Sequence, residues 1–208
     1  MSSPYKTVAL HTFGCKANFA DSSLLNNKFA EIGYDVVPFD TIADIYVINT
    51  CSVTDKANRK CRNLIRKLKS RVPNALIGIT GCYAQLKPNE IISIPGVNFV
   101  VGMKDKFSFL NEIEKLTFED KRLFHSSDIK SVEDAFLSYS IDERTRSFVK
   151  IQDGCNYSCS YCTIPMARGV SRSPRIDQII KNIKKIESSN INEIILSGIN
   201  VGDFGRGN

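Results

Sequence analysis

The segment Gly154-Cys155-Asn156-Tyr157-Ser158-Cys159-Ser160-Tyr161-Cys162 places three thiols within eight residues, at the spacing Cys-x3-Cys-x2-Cys. One short loop of that spacing can wrap three thiolates around three corners of an iron–sulfur cubane. Structural zinc normally takes four ligands, and ferredoxin-type runs supply four cysteines. Three ligands leave one iron open. An open iron can take the amino and carboxylate groups of S-adenosylmethionine and hold its sulfonium where an electron cleaves it to a carbon radical. The alternative is a zinc loop completed by a distant residue such as His125.

The other four cysteines are scattered: Cys15, Cys51, Cys61 and Cys82. Cys15 follows the run Ala9–Gly14, Cys51 follows Ile45–Thr50 and Cys82 follows Ile77–Gly81, so each stands just past the carboxyl end of a predicted strand. Ligands of open α/β sheets bind outside the carboxyl ends of the strands, so three thiolates there could share one site, again with an iron left open. Gly14 and Gly81, immediately before two of them, would let the backbone turn sharply. The competing reading is three unrelated buried cysteines. Cys61 belongs to a different pattern. With Ala57, Leu64, Leu68 and Val72 it recurs at helical spacing, which makes it a core residue, while Arg59, Arg62, Arg66 and Lys69 point elsewhere.

The elements that must position these thiols alternate. Apolar strand-like runs at Thr7–Thr12, Ile45–Asn49, Ala75–Thr80 and Phe99–Val101 are followed by helical patterns at Asp21–Gly33, Asp55–Arg71, Pro88–Ile92 and Lys106–Leu116. Alternation of this kind predicts an α/β fold with a parallel sheet wrapped by helices. Residues 117–143 lose the alternation and become rich in charge and serine, which predicts a linker between a first domain at 1–116 and a second at 144–208. In the second domain Ser147–Gln152 reads as a strand, Cys155–Ser173 as a long loop, Pro174–Ser188 as a helix and Glu193–Ser197 as a strand. Two strands and one helix cannot close a core, so the chain is expected to be a fragment of a longer protein.

Composition sets outer bounds. The 208 residues are 42% hydrophobic and 24% charged, ordinary for a folded protein. No apolar run reaches the roughly 18–20 residues of a spanning helix, and the N-terminus lacks the apolar stretch of a signal peptide, so a cytoplasmic protein with no membrane partner is expected. Seven cysteines in a reducing compartment suit metal ligation better than disulfides. The net charge of +6 favours a polyanionic partner only weakly.

Four ordered motifs, Thr12-Phe-Gly-Cys-Lys-Ala-Asn18, Asn49-Thr-Cys-Ser-Val-Thr-Asp-Lys-Ala57, Thr80-Gly-Cys-Tyr-Ala84 and Arg144-Thr-Arg-Ser-Phe-Val-Lys-Ile-Gln-Asp-Gly-Cys155, resemble the methylthiotransferase family of radical-SAM enzymes. Ile164-Pro-Met-Ala-Arg-Gly169 is similar to the same family's signature. The resemblance implies a parallel-sheet α/β domain followed by the start of an incomplete TIM-like radical-SAM barrel. It implies two [4Fe-4S] clusters, one on Cys15, Cys51 and Cys82 and one on Cys155, Cys159 and Cys162, with S-adenosyl-L-methionine as cofactor. Tyr161 would lie against the adenine of that cofactor, and Ser197 and Gly198 would admit its amino group.

The segments around Cys15, Cys51 and Cys82 look most like the subgroup that adds a methylthio group to N6-threonylcarbamoyladenosine beside the tRNA anticodon. Isopentenyladenosine tRNA and a ribosomal-protein aspartate are the alternative substrates within the family. Carbon 2 of adenine has no acidic proton and no leaving group, which excludes polar catalysis and fits a radical route. The partners implied are tRNA and an electron donor such as flavodoxin or ferredoxin. Two rivals stay open at this point: an iron–sulfur electron carrier or scaffold, and a zinc-stabilised RNA-binding module.

Overall fold

A computed structural model describes residues 6–51, 55–116, 121–124, 129, 137–140, 146–187 and 191–206; His125 and much of the interval 117–143 lie outside them. Along the first part of the chain come β1 (Thr7–Thr12), α1 (Lys16–Glu31), β2 (Asp35–Val36), β3 (Ile45–Thr50), α2 (Asp55–Arg71), β4 (Leu76–Gly81), α3 (Cys82–Leu86), α4 (Pro88–Ile92), β5 (Phe99–Val101), a 3-10 helix (Phe109–Lys115) and β6 (Arg122–Phe124). The strands form one sheet in the order β2-β1-β3-β4-β5-β6, and every neighbouring pair is parallel. The expected α/β class with a parallel sheet is therefore correct.

The residues explain the sheet. Every residue of β3 and β4 is buried, which is why both read as continuous apolar runs with no alternation: both faces of a parallel sheet are covered. Helix α2 buries Cys61, Ile65 and Leu68 at four- and three-residue steps in the core that also holds Tyr46, Ile48, Ile77 and Ile79. The expected core position Leu64 is only partly buried and Ile65 takes its place.

Several boundaries differ from expectation. Helix α1 begins five residues before Asp21, and the expected helix over Lys106–Leu116 is a shorter 3-10 segment. Within 117–143, where the alternation is expected to lapse, β6 pairs with β5 and extends the sheet. Three residues are enough: Arg122 N donates to Asn98 O at 2.8 Å and Gly102 N donates to Phe124 O at 2.7 Å, so the short strand is tied at both ends to the edge of β5.

Backbone proximity divides the chain into two units, one of Met1–Gly14 and Leu25–Ser127, the other of Cys15–Leu24 and Asp128–Asn208. The second unit holds β7 (Ser138–Tyr139), β8 (Arg146–Lys150), α5 (Ile164–Arg168), α6 (Ile176–Glu187) and β9 (Glu193–Ser197). Strand β8 pairs in parallel with β9 from Arg146↔Glu193 to Lys150↔Ser197, and α6 makes the crossover of a βαβ unit. Strand β7, another element inside the interval 117–143, adds to β8 in antiparallel sense. Val149, Ile151, Ile179 and Ile186 form the core of this unit. This is the expected parallel pair and crossover helix that begin a second α/β domain.

Candidate metal centre

Beyond β8 the chain runs through Ile151, Gln152, Asp153 and Gly154 into the cysteine loop, whose neck is closed by backbone pairing. Asp153 N donates to Arg172 O at 3.0 Å and Arg172 N returns to Asp153 O at 2.9 Å. One step further out, Cys155 N donates to Gly169 O at 3.0 Å, and Ser171 N donates to Asn156 Oδ1 at 2.8 Å. Inside the loop, Cys162 N donates to Cys159 O at 3.0 Å, closing a tight turn between two of the three cysteines. The segment expected as plain loop also contains the one-turn helix α5, started by Pro165 in its first turn.

Beneath the neck lies a buried group of charges that sequence reasoning missed. Arg168, fully buried, donates from Nη1 to Asp153 Oδ1 at 2.7 Å and from Nη2 to Asn18 Oδ1, with Asp21 Oδ2 at 3.6 Å. Lys150 Nζ bonds Asp21 Oδ1 and Asp153 Oδ2, the latter at 2.9 Å. Arg172 stands 3.8 Å from Asp153 Oδ2 and donates to the carbonyls of Arg168 and Val170. Burial alone would raise the Asp153 carboxyl, but Arg168, Lys150 and Arg172 hold it far below the usual carboxylate range. Burial likewise would lower Lys150, yet Asp153 and Asp21 keep its ammonium above its ordinary value. Residues 15–24, just after β1 in sequence, are thus tied by Asn18 and Asp21 to the base of the cysteine loop.

Gln152 joins that base to the turn after β9. Its Nε2 donates to the carbonyls of Gly154 at 2.7 Å and Asp153 at 3.2 Å and to Ser171 Oγ at 3.0 Å. Its Oε1 accepts from Ile199 N at 2.9 Å and Asn200 N at 2.8 Å. A side chain at Gly198 would stand 3.0 Å from Gln152, so Gln152 would have to give by a few tenths of an ångström to admit one. Ser197 is buried beside it. Tyr161 is 89% exposed. One signal pointed to these supports: Gln152, Asp153 and Arg168 all stand in the quoted motifs without any other role.

The donor set fits a three-thiolate iron–sulfur cluster. Cys155, Cys159 and Cys162 are free thiols, Cys159 exposed and the others partly so, on a loop whose residues 156–161 are exposed and leave the thiols room to turn. Among the described residues, no three Cys, His, Asp or Glu side chains stand close enough to hold a metal ion as they are, so ligation needs these thiols to rotate towards one another.

Of the scattered cysteines, Cys51 and Cys82 directly follow Thr50 and Gly81, which are Cα partners at the ends of β3 and β4. Gly81 has φ 96°, and a side chain there would meet Thr50 O at 2.3 Å, so only glycine brings the two strand ends this close. Cys15 is exposed and follows β1, whose end pairs with β3 at Thr12↔Asn49. Cys61 is buried in the core as expected, and burial pushes its thiol up to about 12. Iodoacetamide at pH 8 is accordingly expected to modify Cys15 and Cys159 first and to spare Cys61 until the chain is denatured. Mass spectrometry of digests reads this, and early labelling of Cys61 would contradict the packing of α2.

Residues 7–102 match the family described as uncharacterized protein family UPF0004, and residues 149–204 match the radical SAM superfamily. A threonylcarbamoyladenosine tRNA methylthiotransferase of Bacillus subtilis is 40% identical over 96% of this chain and 45% of its own length. Its counterpart in Aquifex aeolicus is 38% identical over 95% of this chain and 49% of its own. A tRNA-2-methylthio-N(6)-dimethylallyladenosine synthase of Dictyoglomus thermophilum is 34% identical over 94% of this chain and 45% of its own. The chain spans about half the length of these curated relatives. The radical SAM match covers the whole cysteine loop, α6, β9 and the last two residues of β8, and it implies an iron–sulfur cluster and S-adenosylmethionine. With the two family matches in this order, the chain is similar to tRNA methylthiotransferases along nearly its whole length.

Proposed function

We propose that this chain is the cluster-bearing part of a methylthiotransferase that modifies carbon 2 of N6-threonylcarbamoyladenosine in tRNA. The observation that carries the reading is the cysteine loop: three free thiols at Cys-x3-Cys-x2-Cys spacing, clamped at the neck, inside the segment that matches the radical SAM superfamily. Cys155, Cys159 and Cys162 would hold a four-iron cluster, which when bound supplies the electron for reductive cleavage of S-adenosylmethionine. The protein's share is to fix the loop through Asp153, Arg168 and Arg172, and to align it with the Ser197–Gly198 turn through Gln152. Tyr161 would close over the adenine of the cofactor.

A second four-iron cluster is assigned to Cys15, Cys51 and Cys82. Strand order supports it: the sheet runs β2-β1-β3, so the order in which successive strands are added reverses between β1 and β3, and ligands of such sheets sit at that switch point beyond the carboxyl ends. The 40% and 38% identities to threonylcarbamoyladenosine enzymes, against 34% to a dimethylallyladenosine one, favour the first substrate. The cluster chemistry requires an electron donor, such as a flavodoxin or ferredoxin.

The test is anaerobic reconstitution with iron and sulfide, then reduction and assay for 5′-deoxyadenosine. About eight irons per chain and S-adenosylmethionine cleavage are expected, with Cys159→Ala keeping about four irons and no cleavage. Full iron loading without any cleavage would replace this reading with an electron carrier.

A further inference from the structure

We infer that the exposed face of α2 is a docking surface for the phosphate backbone of RNA. This inference deepens the reading above by naming where its RNA is held. The chain's net charge is +6, and residues 57–71 alone carry +7, with seven Lys and Arg and no acid, so the rest of the chain sums to −1. The positive excess is thus one local patch and not a diffuse property of the surface.

Three of the seven cations have local work. Arg62 pairs with Glu90 at 3.0 Å, Lys69 Nζ donates to Pro73 O at 2.7 Å, and Arg71 donates to Phe39 O at 2.9 Å beside the Tyr46 ring. Arg59, Lys60, Arg66 and Lys67 are exposed; Arg66 Nη1 donates to Asn63 Oδ1 on its own helix at 3.4 Å, and among the described residues none of the four forms an ion pair. They lie on two turns of helix, spanning roughly 12 Å at about 1.5 Å per residue. That is close to the Debye length of ~8 Å at physiological salt, so their potentials add and attract a polyanion.

The chemistry of the partner follows from the other face. Cys61, Ile65 and Leu68 are locked in the core, so α2 has no apolar stripe to insert into a bilayer. A row of flexible ammonium and guanidinium groups without aromatic side chains among them suits phosphates and not bases. The patch also begins next to the candidate chemistry, since three residues separate Cys51, at the end of β3, from the first turn of α2.

The experiment is fluorescence anisotropy of labelled tRNA with the full chain between 50 and 300 mM KCl. The variant Arg59→Gln/Lys60→Gln/Arg66→Gln/Lys67→Gln is compared with wild type and with a charge-keeping Arg59→Lys/Arg66→Lys control. The quadruple variant is expected to lose at least about tenfold in affinity at low salt and to flatten the plot of log affinity against log salt by about 3. The lysine control is expected to bind like wild type. Circular dichroism should show the same fold in all three, because the altered side chains are exposed. Equal affinity and equal salt slope in wild type and quadruple variant would overturn the inference, as would loss of binding only to anionic phosphatidylserine vesicles. The 5′-deoxyadenosine assay needs no RNA, so failure here leaves the cluster reading standing and failure there leaves this one to its own result.

Discussion

Replacing Arg168 with alanine is expected to remove about 3–5 kcal/mol of stability, the usual result of leaving buried charges without their partner. The arginine has no solvent exposure and contacts Asp153, Asn18 and Asp21 at once. Its loss strands two carboxylates, which keep Lys150 and Arg172 as charged partners beside the weaker neutral donors Ser138 and Gly154. A typical domain has about 5–15 kcal/mol in all, so the variant should unfold its second unit first and release the segment after Cys15 from the cysteine loop. Arg168→Lys should recover little, because an ammonium cannot reach both Asp153 and Asn18 as the guanidinium fork does. Urea denaturation followed by circular dichroism, with hydrogen exchange to locate the loss, is the check. A cost below about 1 kcal/mol would mean that this cluster is not what holds the loop.

The same cluster sets the acid limit. Asp153 has a folded pKa well below its unfolded value near 3.9, so its contribution is complete above about pH 4 and drains away as pH falls towards the folded value. Lys150 has the opposite sign. Its pKa is raised, so its contribution is complete below about pH 10 and is lost as pH rises through the folded value. Between those limits both Asp153 and Lys150 are charged.

What a linear reading recovers depends on how local the cause is. Strands β1, β5 and β9 and helix α2 lie at their expected positions because each is decided by its own apolar pattern. The start of α1 is hidden for a physical reason: its first turns bury the polar Asn18, Asp21 and Ser22 beside only the small Ala17 and Ala20, and large apolar residues enter its buried face later, at Leu25 and Phe29. Their partners are 129 and 150 residues away, at Lys150 and Arg168, and no window along the sequence contains both sides. The short strands β6 and β7 are fixed by the neighbours they pair with and not by their own composition. The cysteines follow the first pattern and their supports the second. Spacing alone singles out Cys155, Cys159 and Cys162, whereas Gln152 and Arg168 gain a role only when strand, loop and turn are brought together.

Gly154→Ala is the second large effect expected, and it acts where the cysteine loop begins. Gly154 has φ 74°, a conformation that costs an alanine about 1–2 kcal/mol. The added methyl carbon would also lie 1.9 Å from Val170 O and 2.7 Å from Gly169 O. Neither carbonyl can move freely, since Gly169 O accepts from Cys155 N and Val170 O accepts from Arg172. The strand of loop from Gly169 to Arg172 must therefore shift, breaking the Asp153–Arg172 bridge or the Cys155 bond. A total cost of about 3 kcal/mol or more is expected from backbone strain plus overpacking. Because the displaced segment is the neck and not the core, the loss should be unequal. The iron bound after reconstitution should fall by about half, the share of one of two clusters, while the α/β signal of the first unit is kept. Iron analysis beside circular dichroism reads both. Retention of full iron with unchanged stability would show that the neck tolerates a side chain and that the clamp around the loop is looser than these contacts require.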